Sequence, residues 1–189
     1  MDRLGAVIGR FQIFHNDHLK YLLAGRSLCE HLIIGITNPD PSQSKDDSAA
    51  PHRHLSSSNP LTYFERYVML KAVLNEFETP HHKFSIVPFP INFPELYSYY
   101  IPSEAVFYLT IYDSWGKKKL ELLSTHGLRT HVIWEKSPEE KGLTGTEVRR
   151  RILFDEAWEQ LVPNSVSQLI LDWNIRARML LNLRPAIDD

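Results

Sequence analysis

The chain has 189 residues, 43% hydrophobic, 11% aromatic and 23% charged, which suits one ordinary domain with its own core and excludes disordered, collagen-like and repeat architectures. Lys and Arg number 21 against 23 Asp and Glu, so at a net charge of -2 no global basic field exists for nucleic acid or an anionic membrane, and any anion must be held locally. The single cysteine, Cys29, rules out an intrachain disulfide and a Cys-based zinc site; with no long apolar span and no signal-peptide core, the expectation is a cytoplasmic protein.

Leu4 to Gly9 is an apolar run too short for a core helix and reads as a buried strand. Residues 17 to 29 place Leu19, Leu22, Leu23 and Leu28 at roughly helical spacing, and His31 to Thr37 is a second buried strand. Strand, helix and strand in so few residues, without a hairpin signal, predict a parallel crossover unit. From 38 to 59 the chain turns to Pro, Ser, Asp and His without periodicity, which predicts a mobile insertion. Helical spacing resumes over 61–78, Phe84 to Phe89 is a third strand, and Pro90 to Pro102 is an aromatic loop with one helical turn. Glu104 to Tyr112 is a fourth strand, 116–126 a helix, and Thr130 to Trp134 a fifth strand. Only helical patterns follow, over 145–153, 155–161 and 164–182. The alternation predicts an α/β fold: a doubly wound parallel five-stranded sheet with a helical C-terminal end. Residues 1–189 then form one domain, with a core over 1–143 and a helical part over 144–189. A ligand of such a sheet lies beyond the carboxyl ends of the strands, at the topological switch point.

Two segments carry candidate chemistry. After the first strand comes Gly9-Arg10-Phe11-Gln12-Ile13-Phe14-His15-Asn16-Asp17-His18. His15 and His18, three apart where a loop enters a helix, place two imidazoles on one side of a helix start, beside free backbone N–H groups and the positive end of the dipole. Gly9 permits close approach to the strand end and Arg10 offers a cation. The plain alternative is a pair of surface histidines; a zinc site lacks a third ligand nearby. The second segment is Leu143-Thr144-Gly145-Thr146-Glu147-Val148-Arg149-Arg150-Arg151. Thr144, Gly145 and Thr146 make a nest of backbone donors, with Arg149 one turn inside and able to reach a phosphate. Taken alone, the segment also reads as a helix cap with solvated or paired arginines.

Together with Asn59-Pro60, Thr62, Glu65 and Arg66, these runs resemble the nucleotidyltransferase superfamily with the H-x-G-H signature, and in particular archaeal-type nicotinamide mononucleotide (NMN) adenylyltransferase. The resemblance covers residues 4 to about 163 and implies a Rossmann-like sheet with a helical end. It implies transfer of a nucleoside monophosphate from a nucleoside triphosphate to a phosphate-bearing acceptor, with release of pyrophosphate. On that likeness His15, His18 and Arg149 are catalytic, and Gly9, Arg10, Phe11, Thr144, Gly145 and Thr146 bind the triphosphate. Mg2+ comes with the triphosphate, without an assigned protein ligand. The simplest substrates are ATP and NMN, giving NAD; the alternative is CTP with a small phosphonate or phosphate acceptor in specialised metabolism. Neither nucleic acid nor membrane is an expected partner, and a homo-oligomer is left open.

The sequence also departs from the family pattern. Asp17 replaces the glycine between the histidines and brings a negative charge towards the triphosphate. Three accounts stand: it caps its helix, it binds a metal ion, or the site is weak, as in a nucleotide-binding regulatory relative. Ile13 stands where proline is usual. In place of serine-glycine-asparagine after the fourth strand stands Tyr112-Asp113-Ser114-Trp115-Gly116, and the preceding loop offers Phe93, Tyr97, Tyr99 and Tyr100. Asp113, Ser114, Trp115, Tyr97 and Arg66 are therefore candidates for acceptor or base binding. Lys117, Lys118 and Lys119 read as a solvated run, and His52, Arg53 and His54 as either a fold-over anion clamp or surface chain.

Overall fold

The computed structural model describes residues 1–41, 58–140 and 142–182. In chain order they form β1 (Asp2–Gly9), α1 (Asn16–Ser27), β2 (Cys29–Thr37), α2 (Tyr63–Glu76), β3 (Phe84–Phe89), β4 (Val106–Ile111), α3 (Ser114–Thr125), β5 (Arg129–Glu135), α4 (Gly145–Phe154), α5 (Asn164–Asp172) and α6 (Ile175–Asn182). The strands lie in the order β3-β2-β1-β4-β5 and every pairing is parallel. The chain thus winds outward from β1 to β3, crosses back to β4 and winds outward again to β5. This is the Rossmann-like α/β sheet expected from the sequence, and its winding reverses between β1 and β4.

β1, β2 and β4 are apolar almost without interruption because helices or loops cover both faces. A period of two sorts their side chains. Val7, Leu32, Ile34 and Tyr108 face a core shared with α1, α2 and the C-terminal helices, whereas Ala6, Ile8, Ile33, Phe107 and Leu109 face Leu123 of α3 together with Phe89, Ile91 and Tyr97. Gly25 lets α1 settle onto β1, since a Cβ there would lie 2.7 Å from Val7 Cγ1.

Two helical expectations are corrected. Residues 155–161 do not form an α-helix: Asp155 closes α4 in the left-handed conformation (φ 60°), and only a 3-10 turn follows at Glu159–Leu161. The pattern over 164–182 is two helices, α5 and α6, parted at Asn174 (φ 49°). Val166, Ile170, Ile175 and Met179 on both pieces face one core, so the apolar spacing runs on through the break. Arg178 of α6 holds Glu65 at 2.7 and 2.8 Å, while Glu65 completes a capping box with Thr62 at the start of α2. Most of the expected insertion, including His52, Arg53 and His54, lies outside the described residues. Among the described residues no helix is long and apolar enough to cross a membrane.

Candidate active site

A cleft of about 440 Å³ opens at the carboxyl ends of the central strands, where Gly9 leaves β1, Thr37 leaves β2 and Tyr112 follows β4. Its walls are the two helix starts singled out in the sequence: His15, Asp17 and His18 on one side, Thr144, Gly145, Thr146 and Arg149 on the other. Segments more than a hundred residues apart in the chain therefore share one concavity at the switch point.

His15 is the N-cap of α1 and is 4% exposed. Its Nδ1 accepts a long bond, 3.4 Å, from the His18 N–H, so the neutral ring carries its proton on Nε2 and is a donor there. The two imidazoles stack with centroids 3.7 Å apart. Phe11 and Phe14 flank His18 at 5.2 and 5.6 Å. Burial lowers the His15 pKa from 6.5 to about 4, with Asp17 opposing the shift and Arg149 adding to it. Burial, followed by the charges of His15, Arg10 and Lys119, holds His18 well below the ordinary histidine value. Both rings of the protein alone are neutral at pH 7. The His18 Nδ1 is buried without a hydrogen-bond partner among the described residues, an uncommon arrangement that a polar ligand would relieve.

Arg149 joins the walls: Nη1 donates to the Gln12 carbonyl and Nη2 to Thr146 Oγ1 at 3.1 Å. Burial draws its pKa down to about 10, which leaves it charged at neutral pH. Thr144 caps α4 by accepting the Glu147 N–H at 3.2 Å. Glu147 does not complete a capping box, because its carboxylate takes Arg150 at 3.0 Å and Arg151 at 2.7 Å. Of the three consecutive arginines only Arg149 lines the cleft; the other two are paired on the helix surface. The N–H groups of Gly145 and Thr146 precede the first intrahelical bond of α4 and lie at the cleft wall.

Several candidates sit otherwise than expected. Gly9 borders the cleft, but the Phe11 ring fills the space beside it, 2.8 Å from where a Cβ would be. Phe11 itself is buried against His18 and shapes that imidazole's surroundings. Arg66 does not line the cleft: at 2% exposure it donates to the carbonyls of Thr62, Arg10, Thr37, Asn38 and Pro39 at 2.8 to 3.4 Å, bracing the loops beneath. Tyr97 does not line the cleft either: it is buried, stacks on Phe89 at 4.6 Å and donates to the Ile91 carbonyl. Asp113 borders the cleft while capping α3 through the Gly116 N–H at 3.0 Å. Trp115 lines the cleft, and Ser114 lines an adjoining depression at the ends of β4 and β5. Ile13 is fully buried.

Of the accounts of Asp17, the structure bears on the cap. Its carboxylate accepts the Leu143 N–H at 2.7 Å and pairs with Lys20 at 2.7 Å, so it caps the opposite wall rather than its own helix. Burial pushes its pKa up, but Lys20 and the Leu143 N–H outweigh that and hold it below the usual carboxylate value.

Two participants had no role in the sequence reading. Lys119 is half-buried and lines the cleft, whereas Lys117 and Lys118 are exposed. The usable signal was its i, i+4 spacing from Trp115, which puts both on one helix face. Gln12 clamps Leu61 with both ends of its amide, at 2.7 and 2.9 Å, and so fixes the returning chain beside Arg10, which donates to Asn59 at 3.3 Å. A buried amide clamp has no sequence signature of its own.

Comparison with known proteins agrees with this geometry. The profile of the family described as Cytidylyltransferase-like matches residues 6–151. Phosphonoformate cytidylyltransferase of Streptomyces viridochromogenes is 42% identical over 175 residues, 93% of this chain and 94% of that protein. Nicotinamide-nucleotide adenylyltransferase of Thermococcus kodakarensis is 31% identical over 171 residues, 90% of this chain and 83% of that protein. A bifunctional NMN adenylyltransferase/ADP ribose pyrophosphatase from Francisella tularensis, in a structure complexed with AMP and an Mn ion, superposes at a TM-score of 0.64 with 14% identity over 96% of this chain and 52% of that one, a likeness of fold. The family match runs through both helix starts that wall the cleft, and the chain belongs to the cytidylyltransferase-like family and is a nucleotidyltransferase.

Proposed function

We propose that the enzyme transfers the cytidylyl group of CTP to a small acceptor bearing a phosphonate or phosphate, with release of pyrophosphate. The observation that carries this choice over ATP and NMN is the 42% identity, across nearly the whole of both chains, to phosphonoformate cytidylyltransferase. The acceptor side of the cleft supports it. Arg10 and Lys119 set two cations along the cleft, which suits a compact polyanion.

In this reading an acceptor oxygen attacks the α-phosphorus, and the bond from that phosphorus to the bridging oxygen breaks, its electron pair leaving with pyrophosphate. The acceptor is already ionised, so no general base is needed; the barrier is repulsion between anions. The Gly145 and Thr146 N–H groups and Arg149 hold the outer phosphates at the positive end of α4. His15 offers its Nε2–H and His18 its ring to the α-phosphate, where charge builds in the transition state. The carboxylates bordering the cleft are engaged, Asp17 with Leu143 and Lys20 and Asp113 with Gly116, which suits a Mg2+ ion carried by phosphate oxygens. Such an ion would shield the leaving pyrophosphate. We assign the reaction to the cytoplasm, where nucleoside triphosphates are available.

The test is pyrophosphate release by the purified enzyme, with CTP or ATP offered against phosphonoformate, simple phosphate esters and NMN. Turnover with CTP and a small phosphonate or phosphate is the expected result. Turnover confined to ATP with NMN refutes the assignment.

A further inference from the structure

We infer that Asp17 is a positioning residue for the triphosphate: its carboxylate fixes the segment entering α4 against the start of α1. The inference rests on the reading above, in which the Gly145 and Thr146 N–H groups hold that triphosphate. A bare carboxylate in this cleft would repel the substrate. Here its two oxygens are occupied, Oδ2 by the Leu143 N–H and Oδ1 by Lys20 Nζ, each at 2.7 Å. The residue before Leu143 is Gly142, and a Cβ built there would collide with the Asp17 carboxylate. Asp17 and Gly142 are therefore a matched pair: the segment passes this close to the carboxylate because residue 142 has no side chain. Leu143 lies two residues ahead of Gly145, so the bond sets where the phosphate-binding N–H groups stand relative to His15 and His18. This gives the unfavourable charge a geometric purpose that neither capping of α1 nor metal binding supplies.

The experiment compares Asp17→Ala, Asp17→Asn, Asp17→Gly, Gly142→Ala and the Asp17→Gly/Gly142→Ala double variant, by steady-state kinetics and by calorimetric CTP binding below each variant's unfolding temperature. Asp17→Ala should raise the KM and Kd for CTP about tenfold, the worth of one charge-assisted hydrogen bond, with the acceptor KM unchanged. Asp17→Asn keeps an oxygen for Leu143 and should stay within about threefold of wild type. Gly142→Ala should reproduce the Asp17→Ala defect, yet add nothing in the Asp17→Gly background, where no carboxylate remains to be displaced. Equal losses in Asp17→Asn and Asp17→Ala overturn the inference, because charge rather than the bond would then be acting. A harmless Gly142→Ala, or one whose loss is undiminished in the double variant, overturns it as well. If wild type binds neither CTP nor ATP, the functional reading falls and takes this inference with it; normal wild-type binding with unaltered Asp17→Ala sinks the inference alone.

Discussion

The buried imidazole of His15 should make the protein lose stability in mild acid by an amount the structure allows to be worked out. Its folded pKa is about 4 against 6.5 when unperturbed. Between those values the unfolded chain binds more protons than the folded one, so stability falls as pH drops from about 6.5 and levels off near 4. At pH 5 this one group costs about 2 kcal/mol relative to pH 8, and across the whole window about 3 kcal/mol. His15→Gln removes the titration while leaving an amide oxygen to accept the His18 N–H. Urea unfolding at pH 8, 7, 6 and 5 is the assay: wild type should lose about 2 kcal/mol more than His15→Gln between pH 8 and 5. A polyanion in the cleft reverses the sign of the environment, because it favours the imidazolium. Pyrophosphate binding at pH 6 should therefore take up protons, measurable as a dependence of the calorimetric heat on buffer ionisation enthalpy, and His15→Gln should take up fewer. Parallel stability curves for the two proteins, or binding without proton uptake, would refute this account of the site.

Three further outcomes are expected. Lys119→Ala should raise the acceptor KM by about tenfold or more with the CTP KM unchanged, whereas Lys118→Ala, altering an exposed neighbour, should leave both constants alone. Arg66→Met strips the shared donor from five carbonyls under the cleft and should cost about 3 kcal/mol or more in urea unfolding. In Gly145→Ala the new methyl would lie 2.8 Å from the Gln12 carbonyl, pushing the start of α4 from the loop; CTP affinity should fall roughly 10- to 100-fold, as isothermal titration would show.

The fold was legible because β1, β2 and β4, buried on both faces, carry short apolar runs with few polar interruptions, separated by stretches of helical spacing. The C-terminal end was read less well: Asp155 and Asn174 break the helices by adopting positive φ, which asparagine and aspartate tolerate but composition does not reveal. Within the site, the helix start at Thr144 was legible as a cap and His15 as a residue beside a helix start; that His15 and Asp113 themselves cap α1 and α3 was not. Residues whose place depends on where a long side chain turns were not. Arg66 and Lys119 both follow helix starts. One folds inward onto carbonyls and the other reaches the cleft; the spacing from Trp115 marks the helix face of Lys119 but not where either side chain ends.

The charge balance of the cleft follows from the same details and bears on how catalysis is arranged. With both imidazoles neutral, the described lining holds three cations, Arg10, Lys119 and Arg149, against the carboxylates of Asp17 and Asp113. That surplus is small beside the charge of a triphosphate and a phosphonate together. The difference must come from elements that respond to the substrates: imidazoles that gain protons as the anions approach, and a divalent cation travelling with the phosphates. A cleft carrying permanent charge for the whole load would face strong repulsion among buried cations before substrate arrived. Stacking His15 on His18 at 3.7 Å avoids this, since each ring discourages protonation of the other until an anion lies beside them.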